Sequence, residues 1–335
     1  MFGYNRQTLR FAFIVSLFLV SSCASPTPTS QPEPTSPPAP TATPEPAKPE
    51  QPELIMMLTG NDTPFDTPYG VALAPDGSIY VSDSGNNRVL KFDKNGILLD
   101  VWNKAGSGDG EFNSLGFGAL AVDAGGNVFV VDNGNHRIQK FDSQGSYLTQ
   151  WGSEGTGDGQ FVRAIGIAVD NEGNVYVTDD GNPFVQKFDS NGQFLIKWGG
   201  EGKGDGQFNH ATGIAVDAQG NLFVADYNNQ RVQKFDAQGK FVTAWTMASD
   251  LNSTGTPEGI AVDAQGHVYI TDYQFGRVEI FSNDGVQLLV FGSHGLESGQ
   301  FRKPTGIAVD TQGDVYVVSQ MNNNLQVFAL PAIEK

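Results

Sequence analysis

The chain has 335 residues, 41 of them glycine, with 39% apolar and 17% charged residues: long enough for a full core, and composed for turns rather than long helices. Its net charge of −17 excludes the basic face that nucleic acid requires and disfavours contact with anionic membranes. The single cysteine, Cys23, rules out an internal disulfide, so packing alone must hold the fold.

In chain order, Arg6 and Arg10 precede the apolar run "FAFIVSLFLV" at 11–20. Ten apolar residues are too few to span a hydrocarbon layer of roughly 30 Å, and the segment reads as the core of a cleaved signal. Val20-Ser21-Ser22-Cys23 resembles the lipobox of bacterial lipoproteins. That resemblance implies that residues 1–22 are removed and that Cys23 carries the lipid, an extracytoplasmic location on a bacterial membrane. Residues 23–53 form a Pro/Thr/Ser-rich tether, because 24–53 hold eleven of the eighteen prolines. At about 3.1 Å per residue a polyproline-like tether reaches on the order of 90 Å. The expected membrane contact is this anchor alone, and the expected state is a monomer.

From residue 54 to residue 335 one unit is written six times. With Gly70, Ala119, Gly166, Gly213, Gly259 and Gly306 as phase markers, the intervals are 49, 47, 47, 46 and 47 residues, a propeller-blade period. Each unit carries four short runs of β-favouring residues, for example "GIAVD", "NLFVAD", "RVQKFD" and "KFVTAW", and so predicts four strands. An aromatic stands ten residues after every marker and a phenylalanine twenty-two after it, from Tyr80 and Phe92 to Tyr316 and Phe328; these fill the gaps between stacked sheets. Trp102, Trp151, Trp198 and Trp245 share one phase of the fourth strand and belong to the same core. Glycines seven and twenty-six residues after the marker place two tight turns per unit on one face.

The pattern "GIAVD…GN(V/L)(Y/F)V.D..N.R(V/I)QKFD…WG..G.GDGQF" resembles the NHL repeat across 54–335 and implies an all-β, six-bladed propeller of four-stranded antiparallel blades. The last unit supplies three strands only, so residues 54–60 are expected to close the ring as the outer strand of the last blade.

Recurrent polar residues read as scaffolding. Asp83 with Arg88, Asp132 with Arg137, Asp226 with Arg231 and Asp272 with Arg277 recur at fixed phases and are expected to pair and support the loop between strands two and three. The "GDGQF" strings have neither the helix of a phosphate loop nor the alternating acids of a calcium loop, and join blades.

Function is sought where the copies disagree. The loops between strands two and three offer Phe184, Tyr227, Tyr273 and Phe275, and the loops leading into strand one offer Tyr69, Arg163, His210, Glu258 and Lys303. All open on the face opposite the uniform turns, where blades three to five are neighbours. Exposed aromatics among mixed polar groups suit an extracytoplasmic protein, peptide or glycan. Residues 1–22 carry +2 and 23–53 carry −3, which leaves −16 on the head and favours neutral or cationic partners. The expectation is a binding module without catalytic residues or a cofactor. The alternative is a hydrolase or lyase with a divalent metal in the central channel, because six-bladed relatives include metal-dependent lactonases and amidating lyases. Its candidate ligands are His210 and Glu258, although those families' ligand sets are not recognisable here.

Overall fold

The computed structural model describes residues 51–60, 62–247, 249–250 and 253–333. The predicted signal 1–22, Cys23 and the tether as far as residue 50 lie outside the described residues.

The described residues form six four-stranded antiparallel sheets and two short two-stranded pairs. Blade four shows the plan. Its inner strand is Ala211–Val216, followed outward by Leu222–Asp226, Arg231–Phe235 and Phe241–Thr246. The inner strands of neighbouring blades touch all the way round, the sixth meeting the first, so the ring is closed. No helix among the described residues is long and apolar enough to cross a membrane.

The second strand of every blade is buried along its whole length, because it has strands on both edges and a neighbouring blade against each face. The core is therefore six inter-blade clusters rather than one centre. One of them joins Phe223, Ala225 and Val232 of blade four to Val268, Ile270 and Phe281 of blade five, and each buried Phe, Val or Ile there contributes about 1.5–3 kcal/mol. The tryptophans seal the outer edge. Trp151 lies beneath Gly192 of the next blade, where an added Cβ would sit 2.4 Å from the indole at a φ of +85°, so this turn needs glycine for both space and conformation.

The closing strand runs Glu53–Leu58 and pairs with Asn324–Ala329 of blade six. It begins one residue before and ends two before the expected 54–60. The chain leaves the sheet there because Thr59 O accepts the Phe65 amide and Thr63 bonds back to Gly60, a turn with Gly60 at φ +86°. Five of the six blade connections bury a phenylalanine: Phe112, Phe161, Phe208 and Phe301 are fully buried, and Phe65 nearly so. Between blades four and five the chain substitutes a short hairpin, Ser249–Asp250 with Ser253–Thr254, and buried Met247.

Candidate functional site

All four predicted Asp and Arg pairs form, with Nε to Oδ2 distances of 2.7 Å for Arg88 and Asp83, 2.8 Å for Arg137 and Asp132, 2.8 Å for Arg231 and Asp226, and 3.3 Å for Arg277 and Asp272. Each carboxylate also accepts a backbone amide from the loop leading into strand one: Asp226 from Asn209 at 2.8 Å and Asp272 from Thr256 at 3.1 Å. Blade three has no Arg at this phase, and there Asp179 accepts the amides of Val162 and Arg163, both at 2.8 Å. These carboxylates therefore fix the backbone just before Arg163, His210 and Glu258. A second tie holds the two loops together, with the Tyr227 amide donating to His210 O at 3.0 Å and the Tyr273 amide to Thr256 O at 2.9 Å.

The result is a cavity of about 270 Å³ on the axis, lined by Tyr69, Phe117, Arg163, Ile165, His210, Tyr227, Glu258 and Tyr273. Tyr69 and Glu258 also line the top of the central channel, about 240 Å³ and otherwise bounded by glycine, threonine and aliphatic residues, so they form the floor between the two spaces. The rings are mutually braced. Tyr69 meets Phe117 edge-on at 5.7 Å, Tyr227 meets Tyr273 edge-on at 5.8 Å, and His210 stacks on Tyr227 at 4.9 Å.

Glu258 is the chemical centre. Its Oε1 accepts the Tyr69 hydroxyl, and burial pushes its carboxyl up to about 7, the hydroxyl only partly opposing the shift. Burial first, then the Glu258 charge, raises Tyr69 well above the ordinary tyrosine range and Tyr227 to about 12, so both phenols stay neutral donors. Burial, then the charge of Arg163, holds His210 below the usual imidazole value, and at neutral pH its ring carries no charge. The Arg163 guanidinium is paired with Asp180, whose other oxygen lies 3.4 Å from His210 Nε2.

The donors do not fit a metal centre. Asp180 is occupied by Arg163, Glu258 holds Tyr69, and among the described residues no group of three or more His, Cys, Asp or Glu side chains is placed to hold an ion. His267 is spent elsewhere, on Asp263 at 2.8 Å.

Six of the nine residues singled out in the sequence thus line one cavity. Lys303 does not, and neither do Phe184 and Phe275, which corrects the expected single patch of aromatics. Phe184 begins the third strand of blade three in the slot that other blades give to Arg, and Lys197 Nζ lies 5.3 Å over its ring. Phe275 lies under the Arg277 guanidinium at 4.8 Å and shares the Asp272 turn. Phe117 was missed, although it is the one large side chain two residues before a marker, where the other units have Pro or Ala. The opposite mouth of the channel also escaped notice. Asp123, Asp170, Asp217, Asp263 and Asp310, four residues after their markers, gather there, each capping its own turn through two backbone amides, as Asp170 does for Glu172 and Asn174 at 2.9 and 2.8 Å.

Comparison with known proteins agrees with the repeat. The model of the NHL repeat matches residues 65–92, 119–141 and 208–235, parts of blades one, two and four. No curated protein matches the chain by sequence. Among solved structures, a streptogramin B lyase is similar at 14% identity and TM-score 0.58, covering 82% of this chain and 97% of that one. Virginiamycin B lyase from Staphylococcus aureus gives 13% and 0.59, covering 84% and 100%, and a gluconolactonase from Xanthomonas campestris gives 20% and 0.59, covering 82% and 89%. At these identities the likeness is one of fold. Six in-phase units, the matched repeats and the closed ring of blades make this chain an NHL-repeat six-bladed β-propeller.

Proposed function

We propose that this propeller is a non-catalytic binding module, carried on a lipid-anchored tether outside the cytoplasm, that takes a protein, peptide or glycan group into the pocket above Glu258. The observation that carries the reading is convergence: Tyr69, Arg163, His210, Tyr227, Glu258 and Tyr273 come from four blades at phases where the copies differ, while nearly everything the copies share is spent on packing and turns. A cavity near the lower bound of ordinary ligand pockets, roughly 300 Å³, suits one side chain, sugar ring or head group rather than a long polymer.

The test is a thermal-shift survey of the chain against peptides, glycans and small metabolites, run beside Tyr227→Ala with Tyr273→Ala. A ligand at a hundred times its dissociation constant stabilises by about 2.7 kcal/mol, a shift of several degrees that should vanish in the double variant. A ligand whose shift survives both substitutions binds elsewhere and removes this pocket from the account.

One observation favours a second reading, hydrolysis or elimination. A carboxyl titrating near 7 is matched to general acid–base work, and lyases and a lactonase share the fold. Turnover of a lactone or a streptogramin that is lost in Glu258→Gln would favour it over simple binding, as would one tightly held metal per chain lost in a His210 variant.

A further inference from the structure

We propose that the pocket above Glu258 receives a methylated ammonium group, held against the faces of Tyr69, Tyr227, Tyr273 and Phe117 with the Glu258 carboxylate as its counter-ion. The inference rests on the pocket reading above and names the ligand's chemistry.

Glu258 and Arg163 are the carboxylate and the guanidinium of the cavity lining, while its tyrosines stay neutral phenols at neutral pH. The Arg163 guanidinium is committed to Asp180, and burial keeps His210 neutral. Among the described residues the carboxylate's side-chain partner is the Tyr69 hydroxyl, a neutral donor, and no ion pair to Glu258 forms among them. A buried carboxylate without a counter-charge is costly, and a cation that enters beside it relieves that cost.

Shape and hydrogen bonding decide which cation. Four aromatic rings line the cavity in two edge-to-face pairs, and aromatic ring faces attract cations through the ring quadrupole. The Lys303 ammonium, outside the cavity lining, already lies 5.3 Å over the Tyr273 ring. A primary ammonium brings three donors that each need an acceptor, whereas a quaternary one brings none and is satisfied by ring faces and a single carboxylate. The cavity lining is more apolar than polar, which favours the methylated form. The head's charge of −16 draws such a cation toward the face before it docks.

Isothermal titration of the purified chain uses three probes: choline, its neutral carbon analogue with a tert-butyl group in place of trimethylammonium, and a short peptide bearing trimethyllysine. Choline, the peptide or both should bind at least about tenfold more tightly than the neutral analogue, and which of the two binds better identifies a free or a peptide-borne head group. Glu258→Gln, and separately Tyr227→Ala with Tyr273→Ala, should each weaken binding by about tenfold or more. Binding of neither ammonium probe more tightly than the neutral analogue overturns the inference, and so does an absence of binding by both ammonium probes at millimolar concentration. If in that case a neutral sugar or peptide stabilises the chain and the stabilisation disappears in the tyrosine variant, the pocket reading stands and only the ammonium assignment falls.

Discussion

Removing residues 51–58 should lower the melting temperature by more than about 10 °C and broaden the transition. The Glu53–Leu58 strand supplies the fourth strand of blade six from the opposite end of the chain, pairing from Glu53 with Ala329 to Leu58 with Leu325 across a bulge. Without it Asn324–Ala329 becomes an unpaired edge, and the ring is left to close through packing alone. The strand also spans a blade interface: Leu58 is buried in the cluster that joins Val318 and Val327 of blade six to Ile79 and Phe92 of blade one, while Leu54 packs against the cluster shared by blades five and six. A milder variant separates closure from gross misfolding. Leu58→Ala empties a core site at a cost of about 2–4 kcal/mol, or roughly 5–10 °C for a chain of this size. A differential scanning calorimetry trace unchanged in both variants would mean that the strand does not close the ring.

Much of this fold was written in the sequence, because a repeated unit states each packing rule six times. Tyr80 and its equivalents, Phe92 and its equivalents and the Asp and Arg pairs were legible for that reason. The site was legible in a different way, through departures from the repeat. Tyr227 and Tyr273 occupy a phase that is Ser, Asn, Asp or Gln in the other units, and Glu258 a phase that holds Tyr, Gly, Ile or Thr. Departure alone does not locate a side chain, however. Phe184 departs from an Arg phase at the outer end of a loop and stays there under Lys197, and Phe275 serves its own turn beneath Arg277. The ring of five turn-capping aspartates was hidden by its regularity, since each reads as a local turn and only ring closure gathers them at one mouth of the channel. The buried state of Glu258 was out of reach of the sequence, because it depends on rings brought from blades one, two and four.

That burial produces the second large effect. The Glu258 carboxyl is raised from 4.5 to about 7 by desolvation, so the folded chain holds this proton to higher pH than the unfolded chain. Between those values the folded state binds more protons, and the associated stability is fully present below pH 4.5 and lost as pH rises through about 7. Glu258→Gln removes this dependence. Relative to the wild type, the variant should therefore gain about 3 kcal/mol between pH 4.5 and pH 8, roughly 6–10 °C in melting temperature. Tyr69 can donate to the Gln carbonyl as it does to the carboxylate, so the comparison isolates the charge.

A buried, desolvated carboxylate lies at the floor of the aromatic pocket, and titrating that group reads its environment directly. In a chain labelled with carbon-13 at glutamate side-chain carboxyls, the resonance absent from the Glu258→Gln spectrum should titrate with a midpoint near 7. A midpoint in the ordinary glutamate range would mean that water reaches the carboxyl freely, and both the desolvated floor of the pocket and the ligand chemistry inferred from it would be contradicted.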